Sequence, residues 1–232
     1  MIRHSFFSST LLFGFLCVVL VGCAPERLKP EDLKRRDRSE IVVQSPPSQP
    51  PAAPPSQEDQ KPMSKGDLFR DAALKGDLTK AKSLAGDGVE VDDAGAQGRT
   101  ALQLASFDGH TETVAWLIQQ KANVNHRDEF GRTALMYAST GANLDTVSGL
   151  VLAGADVNSV DSVEKFTALM FAAAEGQEQV VEHLLQSDAD PTMQDADGET
   201  AVDFAKANGH ASVVELLTKS LSKYEPAKDK TQ

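Results

Sequence analysis

Cysteine is nearly absent: the 232-residue chain has two, Cys17 and Cys23, and none after residue 23. Everything beyond the first tenth of the chain is therefore without disulfides, thiol redox chemistry or a thiolate metal site. Basic residues are also scarce, 23 Lys and Arg against 34 Asp and Glu, for a formal net charge of −11. Nucleic acid as a partner is excluded on this ground, because binding it requires a basic footprint. The familiar catalytic signatures are missing as well. There is no Gly-x-Ser-x-Gly nucleophile elbow, and Gly86-Asp87-Gly88 lacks the third glycine of a dinucleotide fingerprint. Asp195-Ala196-Asp197-Gly198 would place Met193 at the first ligand position of a calcium loop and has no closing glutamate.

Histidine offers no better metal set. His110 and His210 share one slot of a repeating pattern but stand three repeats apart, roughly 25–30 Å at ordinary helix spacings. Zinc ligands must converge within ~2 Å of one ion, so each is read as bonding inter-repeat backbone. His126 and His183 have no Cys or His at ligand spacing. The acidic pairs Asp92-Asp93 and Asp128-Glu129 fall in turns and are expected to be solvated, where no pKa tuning for acid–base work is available. No cofactor, metal or catalytic residue is expected.

What the chain has is a period. Gly98-Arg99-Thr100-Ala101-Leu102 returns as Gly131-Arg132-Thr133-Ala134-Leu135, then as Lys165-Phe166-Thr167-Ala168-Leu169 and Gly198-Glu199-Thr200-Ala201-Val202, at spacings of 33, 34 and 33. Such a period marks stacked supersecondary units. Each threonine is placed to cap a short first helix. Leu102, Leu135, Leu169 and Val202 point inward, and Ala105, Ala138, Ala172 and Ala205 allow close helix approach. Gly109, Gly176 and Gly209, nine residues past the threonine, fit a turn with φ > 0. A second helix follows, with apolar spacing such as Val114, Leu117, Ile118 and Val181, Leu184, Leu185.

On these residues the chain resembles the ankyrin-repeat family. The Thr-Pro-Leu-His signature stands here as Thr-Ala-Leu-Gln, Thr-Ala-Leu-Met (twice) and Thr-Ala-Val-Asp, without the proline or the histidine. The resemblance implies an all-α solenoid of about five helix–turn–helix repeats with protruding turns, over 65–97, 98–130, 131–164, 165–197 and 198–224. The first is worn: Asp67 stands in the threonine's place, with Ala72, Gly76, Leu84 and Val89 in register. Leu217, Leu221 and Tyr224 are read as closing the far end, and 225–232 as a disordered tail.

Ahead of the repeats, residues 1–22 have a basic start, an uncharged apolar run from Phe6 to Leu20, and Leu20-Val21-Gly22-Cys23. They read as a signal peptide whose Cys23 resembles a lipobox cysteine, implying diacylglyceryl lipidation. An uncleaved membrane helix is the alternative, though the run is short for a span of ~20 apolar residues. Ala24 after the cysteine implies the outer membrane of a Gram-negative envelope. Residues 23–63 read as a tether, mixed-charge and then Pro-rich.

The resemblance implies a ligand face made of the turn fingers and the solvent-facing ends of the first helices. It maps onto Phe107, Asp108, Arg127, Glu129, Phe130, Arg132, Val163, Glu164, Phe166, Glu175, Asp197 and Glu199. Phe130, at a turn tip, is expected to be exposed. Phe107 and Phe166 are open between partner contact and packing on an adjacent repeat. Trp116, Tyr137, Phe171 and Phe204 are expected in the core, directed at the next repeat. The one-residue insertion at 160–166 is either drift or a finger fitted to a partner. Anchor and repeats together imply a monomeric, periplasm-facing binder of a protein, for which the acidic charge suits a basic enzyme. The expected role is inhibition of a peptidoglycan hydrolase or toxin, with stabilisation of an oxidative-stress enzyme as the alternative.

Overall fold

The computed structural model describes residues 62–224. The expected signal peptide, Cys23, most of the expected tether and the expected tail from 225 lie outside the described residues. Within them the chain forms ten α-helices in five antiparallel pairs and no strand. The pairs are α1 (Lys65–Leu74) with α2 (Leu78–Gly86), α3 (Ala101–Phe107) with α4 (Thr111–Gln119), and α5 (Ala134–Ser139) with α6 (Leu144–Leu152). They continue with α7 (Ala168–Ala174) and α8 (Glu178–Gln186), then α9 (Ala201–Ala207) and α10 (Ala211–Tyr224). The expected all-α repeat solenoid is what the chain builds. No described helix is long and apolar enough to cross a membrane.

A helix of seven residues is too short to stand alone, so tertiary contacts hold these. First helices pack on first helices from α1 through α9, and α4, α6, α8 and α10 form the second row. The alanines set the first row: Ala101, Ala105, Ala134, Ala138, Ala168, Ala172, Ala201 and Ala205 are each no more than 1% exposed. Leu102, Leu135, Leu169 and Val202 fill the space between the rows, against Leu117, Leu150, Leu184 and Leu217. Burying leucine-sized side chains contributes about 1.5–3 kcal/mol each. Recurrence in every repeat makes one continuous core.

The helix starts follow the threonines, with one variation. Thr100, Thr133 and Thr167 accept bonds from the amides of Gln103, Met136 and Met170 at 3.4, 3.4 and 3.2 Å. At α9 the Asp203 carboxylate takes over, accepting from Thr200 N at 3.1 Å and Oγ1 at 2.6 Å. The first repeat departs from the sequence reading. Its cap is Ser64, and Asp67 is the third helical residue, closing a reciprocal capping box. Starting from that earlier cap, α1 runs to ten residues against the seven of α3. Ala72 and Gly76 keep their register.

The turns between paired helices expose a weak point. Gly76, Gly109, Gly176 and Gly209 have φ of 68–78°, which lets the next residue's amide reach back to a buried carbonyl. These bonds run from Asp77 to Ala72, His110 to Ala105, Gln177 to Ala172 and His210 to Ala205, at 2.8–2.9 Å. The third repeat has Ala142 there, the side chain disfavours a left-handed turn, and no matching Asn143–Ala138 bond is made among the described residues. Helix α5 is accordingly one residue shorter than α3, α7 and α9. The double change Ala142→Gly, Asn143→His supplies the glycine of the other four repeats and the histidine of the second and fifth. It should raise stability by about 0.5–2 kcal/mol, read as a higher urea midpoint at constant m-value. An unchanged or lower midpoint counts against this account of the turn.

Candidate binding surface

Three successive fingers are each built around one aspartate that folds back on its own turn; the first finger has Gly95 at that register. Asp128 Oδ1 accepts from the amides of Phe130 and Arg132, both at 2.9 Å. Asp161 Oδ1 accepts from Val163, Glu164 and Phe166 at 3.2, 2.9 and 3.3 Å. Asp195 Oδ1 accepts from Asp197 and Glu199 at 3.0 and 2.8 Å. All three residues are buried. The expectation that Asp128 and Glu129 form a solvated pair therefore holds for Glu129 alone. The turn gathers unpaired amides that only an acceptor inside it can satisfy, and the carboxylate is drawn in.

In Asp128 and Asp161 the second carboxylate oxygen faces the arginine at the end of the preceding finger. Asp128 Oδ2 accepts from the Tyr137 hydroxyl at 2.6 Å and stands 3.7 Å from Arg99 Nε. Asp161 Oδ2 pairs with Arg132 Nε at 3.4 Å. These guanidinium groups also lie against aromatic rings. Arg99 sits 5.4 Å from the Tyr137 centroid and 6.0 Å from Phe130; Arg132 sits 5.2 Å from Phe171 and 6.0 Å from Phe130. Such contacts contribute about 0.5–2 kcal/mol each, depending on desolvation. Beyond Arg132 the row continues as rings, Phe166 edge-on to Phe171 at 5.5 Å and to Phe204 at 4.9 Å.

Backbone bonds tie neighbouring fingers: Glu129 N to Gln97 O, Ser162 N to Phe130 O and Ala196 N to Glu164 O, at 2.8–3.0 Å. In the first repeat Arg70 plays the arginine's part, bonded to Asp67 and Asp93. The inserted residue is absorbed by the Asp161 turn, and Lys165 takes the left-handed conformation, φ 61°, of the glycine it replaces.

Of the twelve residues singled out in the sequence, nine are exposed: Phe107, Asp108, Arg127, Glu129, Val163, Glu164, Glu175, Asp197 and Glu199. Phe107 and Val163 are the large apolar ones among them, 41% and 56% exposed. Arg127 is turned along the surface and donates to Val160 O. Phe130, Arg132 and Phe166 are half-buried. Phe130 is thus no free tip, because Arg99 and Arg132 cover its faces. Phe107 packs edge-on against Tyr137 at 6.1 Å while keeping its exposure, so packing and display coexist.

The four aromatics expected in the core divide. Tyr137 is buried, whereas Trp116, Phe171 and Phe204 are half-buried. Their aromatic and guanidinium contacts reach the preceding repeat, not the next: Trp116 meets Phe69, Tyr137 meets Arg99, Phe171 meets Arg132 and Phe204 meets Phe166. Sequence reasoning missed Arg99, Asp128, Asp161 and Asp195. The signal was there, as aspartates at spacings of 33 and 34 and Arg99 and Arg132 in one register.

Three of the histidines serve the backbone, while the buried Nε2 of His183 has no partner among the described residues. His110 Nε2 bonds Leu74 O at 2.8 Å and His210 Nε2 bonds Ala174 O at 3.0 Å, each reaching to the preceding repeat. His126 Nε2 bonds Gly98 O at 2.8 Å. No group of three His, Cys, Asp or Glu among the described residues is placed to hold a metal ion.

The sequence profile for Ankyrin repeats (3 copies) matches residues 69–161 and 141–229. The chain belongs to the ankyrin-repeat family. Ankyrin stacks are protein-interaction modules, and the finger row just described is this one's side-chain display. No curated protein matches the chain.

Burial and the Asp128 bond push the Tyr137 hydroxyl up to about 12, against about 10 for an unfolded tyrosine. The folded state thus binds a proton more tightly than the unfolded one. The stabilisation is complete below pH ~10 and is lost as pH rises toward ~12. In Tyr224→Phe, which leaves Tyr137 as the sole tyrosine, phenolate absorbance should appear near pH 12. Tyr137→Phe should remove that part of the alkaline stability loss; titration near pH 10 in the folded Tyr224→Phe protein contradicts the assignment.

Proposed function

We propose that this ankyrin-repeat chain is a lipid-anchored, non-catalytic binding module of a bacterial envelope that seizes a periplasmic enzyme and inhibits it. The observation that carries the reading is the finger row. Its turns are fixed by internal carboxylates and cross-finger bonds and display Val163, while the end of α3 displays Phe107. Rigid display lowers the ordering cost of association, which suits occlusion of an active site. The lipobox-like Cys23 and the Pro-rich stretch behind it support anchoring at a distance from the membrane. An enzyme of the cell wall or an incoming toxin, basic enough to meet an acidic surface, is the partner class proposed.

Two measurements test this. The mature lipoprotein should capture one enzyme from a periplasmic extract, and titration should lower that enzyme's activity. Phe107→Ala with Val163→Asp should weaken capture at least roughly tenfold, as expected for losing interface anchors. Capture that raises the enzyme's level or activity would replace inhibition with a stabilising role. Capture indifferent to both changes would sink the proposed surface. Separately, Cys23→Ser should move the protein from the membrane to the soluble envelope fraction; unchanged fractionation removes the anchor.

A further inference from the structure

One register of the finger row is built like its neighbours but lacks its cation. The residue before the capping threonine reads Arg99, Arg132, Phe166, Glu199 along the stack, and the finger aspartate that follows each of the first three reads Asp128, Asp161, Asp195. In the first two registers the chain's own guanidinium sits between that aspartate's Oδ2 and the next repeat's aromatic ring, Tyr137 or Phe171. In the third, Phe166 replaces the arginine and lies edge-on to Phe204, the ring equivalent to Tyr137 and Phe171. Asp195 is nonetheless nine-tenths buried, at 9% exposure. Its Oδ1 holds the amides of Asp197 and Glu199, while Oδ2 has no hydrogen-bond or ionic partner among the described residues.

Oδ2 is the oxygen of this largely buried carboxylate that still reaches the surface, so a cation arriving from outside can pair with it. The surroundings state what fits. Phe166 and Phe204 are half-buried, so their rings keep surface for a cation. Glu164, Asp197 and Glu199 stand exposed around them, without ion pairs among the described residues. Of the lysines close in sequence, Lys165 is exposed and without an ionic partner among the described residues, and Lys206 is paired with Asp203. We propose that the junction of the fourth and fifth repeats receives an arginine side chain from a protein partner, paired with Asp195 Oδ2, stacked on Phe166 and Phe204 and rimmed by Glu199. The partner would supply the guanidinium that the two preceding registers carry themselves. This rests on the reading that the finger row binds protein, and it names the chemistry the partner must bring.

The test uses the full chain and two short probes, acetyl-Gly-Arg-Gly-amide and the same peptide with neutral citrulline. Amide resonances of residues 195–204 should shift saturably with the arginine peptide and not with the citrulline one. Asp195→Asn keeps an oxygen for the finger amides but removes the charge, and should weaken the arginine peptide about tenfold. Phe166→Arg, which refills the register from within and leaves Asp195 intact, should abolish the response. Equal shifts with both peptides, or undiminished binding in Phe166→Arg, overturn the proposal. Should the peptide bind as described while no envelope protein is captured, the partner reading falls and this site stands. Capture without any arginine response does the reverse.

Discussion

A carboxylate turned back into its own turn is the constraint on which this surface depends. A protruding finger has few apolar groups to bury and several backbone amides to satisfy, so left alone it would be a mobile loop. Asp128, Asp161 and Asp195 each gather two or three of those amides on one oxygen. The other oxygen then becomes a fixed negative point, and in two registers the arginine that ends the preceding finger meets it. A local turn preference is thereby converted into a bond between fingers. The helices beneath are held by the alanine and leucine core; the fingers are held by electrostatics laid over it.

The two layers fail independently, and the third repeat shows this. Its helix turn has lost both the glycine and the backbone bond that glycine permits, yet Asp128 just before that repeat and Asp161 near its end remain fully engaged. The one-residue insertion falls in the finger layer and is taken up by an aspartate that holds three amides instead of two. The lapse and the insertion lie in adjoining parts of one repeat, and the core residues Leu135 and Leu150 are untouched by either, both fully buried.

How much of this could be read beforehand follows from where each interaction is encoded. The helix pairs were legible because burial repeats with the period: Thr, Ala, Leu and Gly recur at fixed offsets, and each has a local reason to be there. Asp67 misled because the threonine register alone does not say where the first helix begins, and Ser64 lies just outside the periodic pattern. Phe130 looked exposed because its cover comes from Arg99, 31 residues earlier, as much as from Arg132 beside it. Asp128 looked solvated because a turn aspartate and a buried turn aspartate have the same local sequence. What separates them is a partner one repeat away. Side chains whose role is inter-repeat pairing are visible only when the repeats are aligned column by column, and Arg99 with Arg132 then stands out where Phe166 breaks the column.

The account's central claim is that the fingers are held in place before any partner arrives. Native-state hydrogen exchange on the isolated full chain addresses it most directly, through the amides of Phe130, Arg132, Glu164, Phe166 and Glu199, each bonded to a finger aspartate. The account predicts that these amides exchange as slowly as those of the first helices, and that Asp161→Ala releases Glu164 and Phe166 while leaving Leu102 protected. Exchange of the finger amides at the rate of an unstructured loop in the unaltered protein would contradict it.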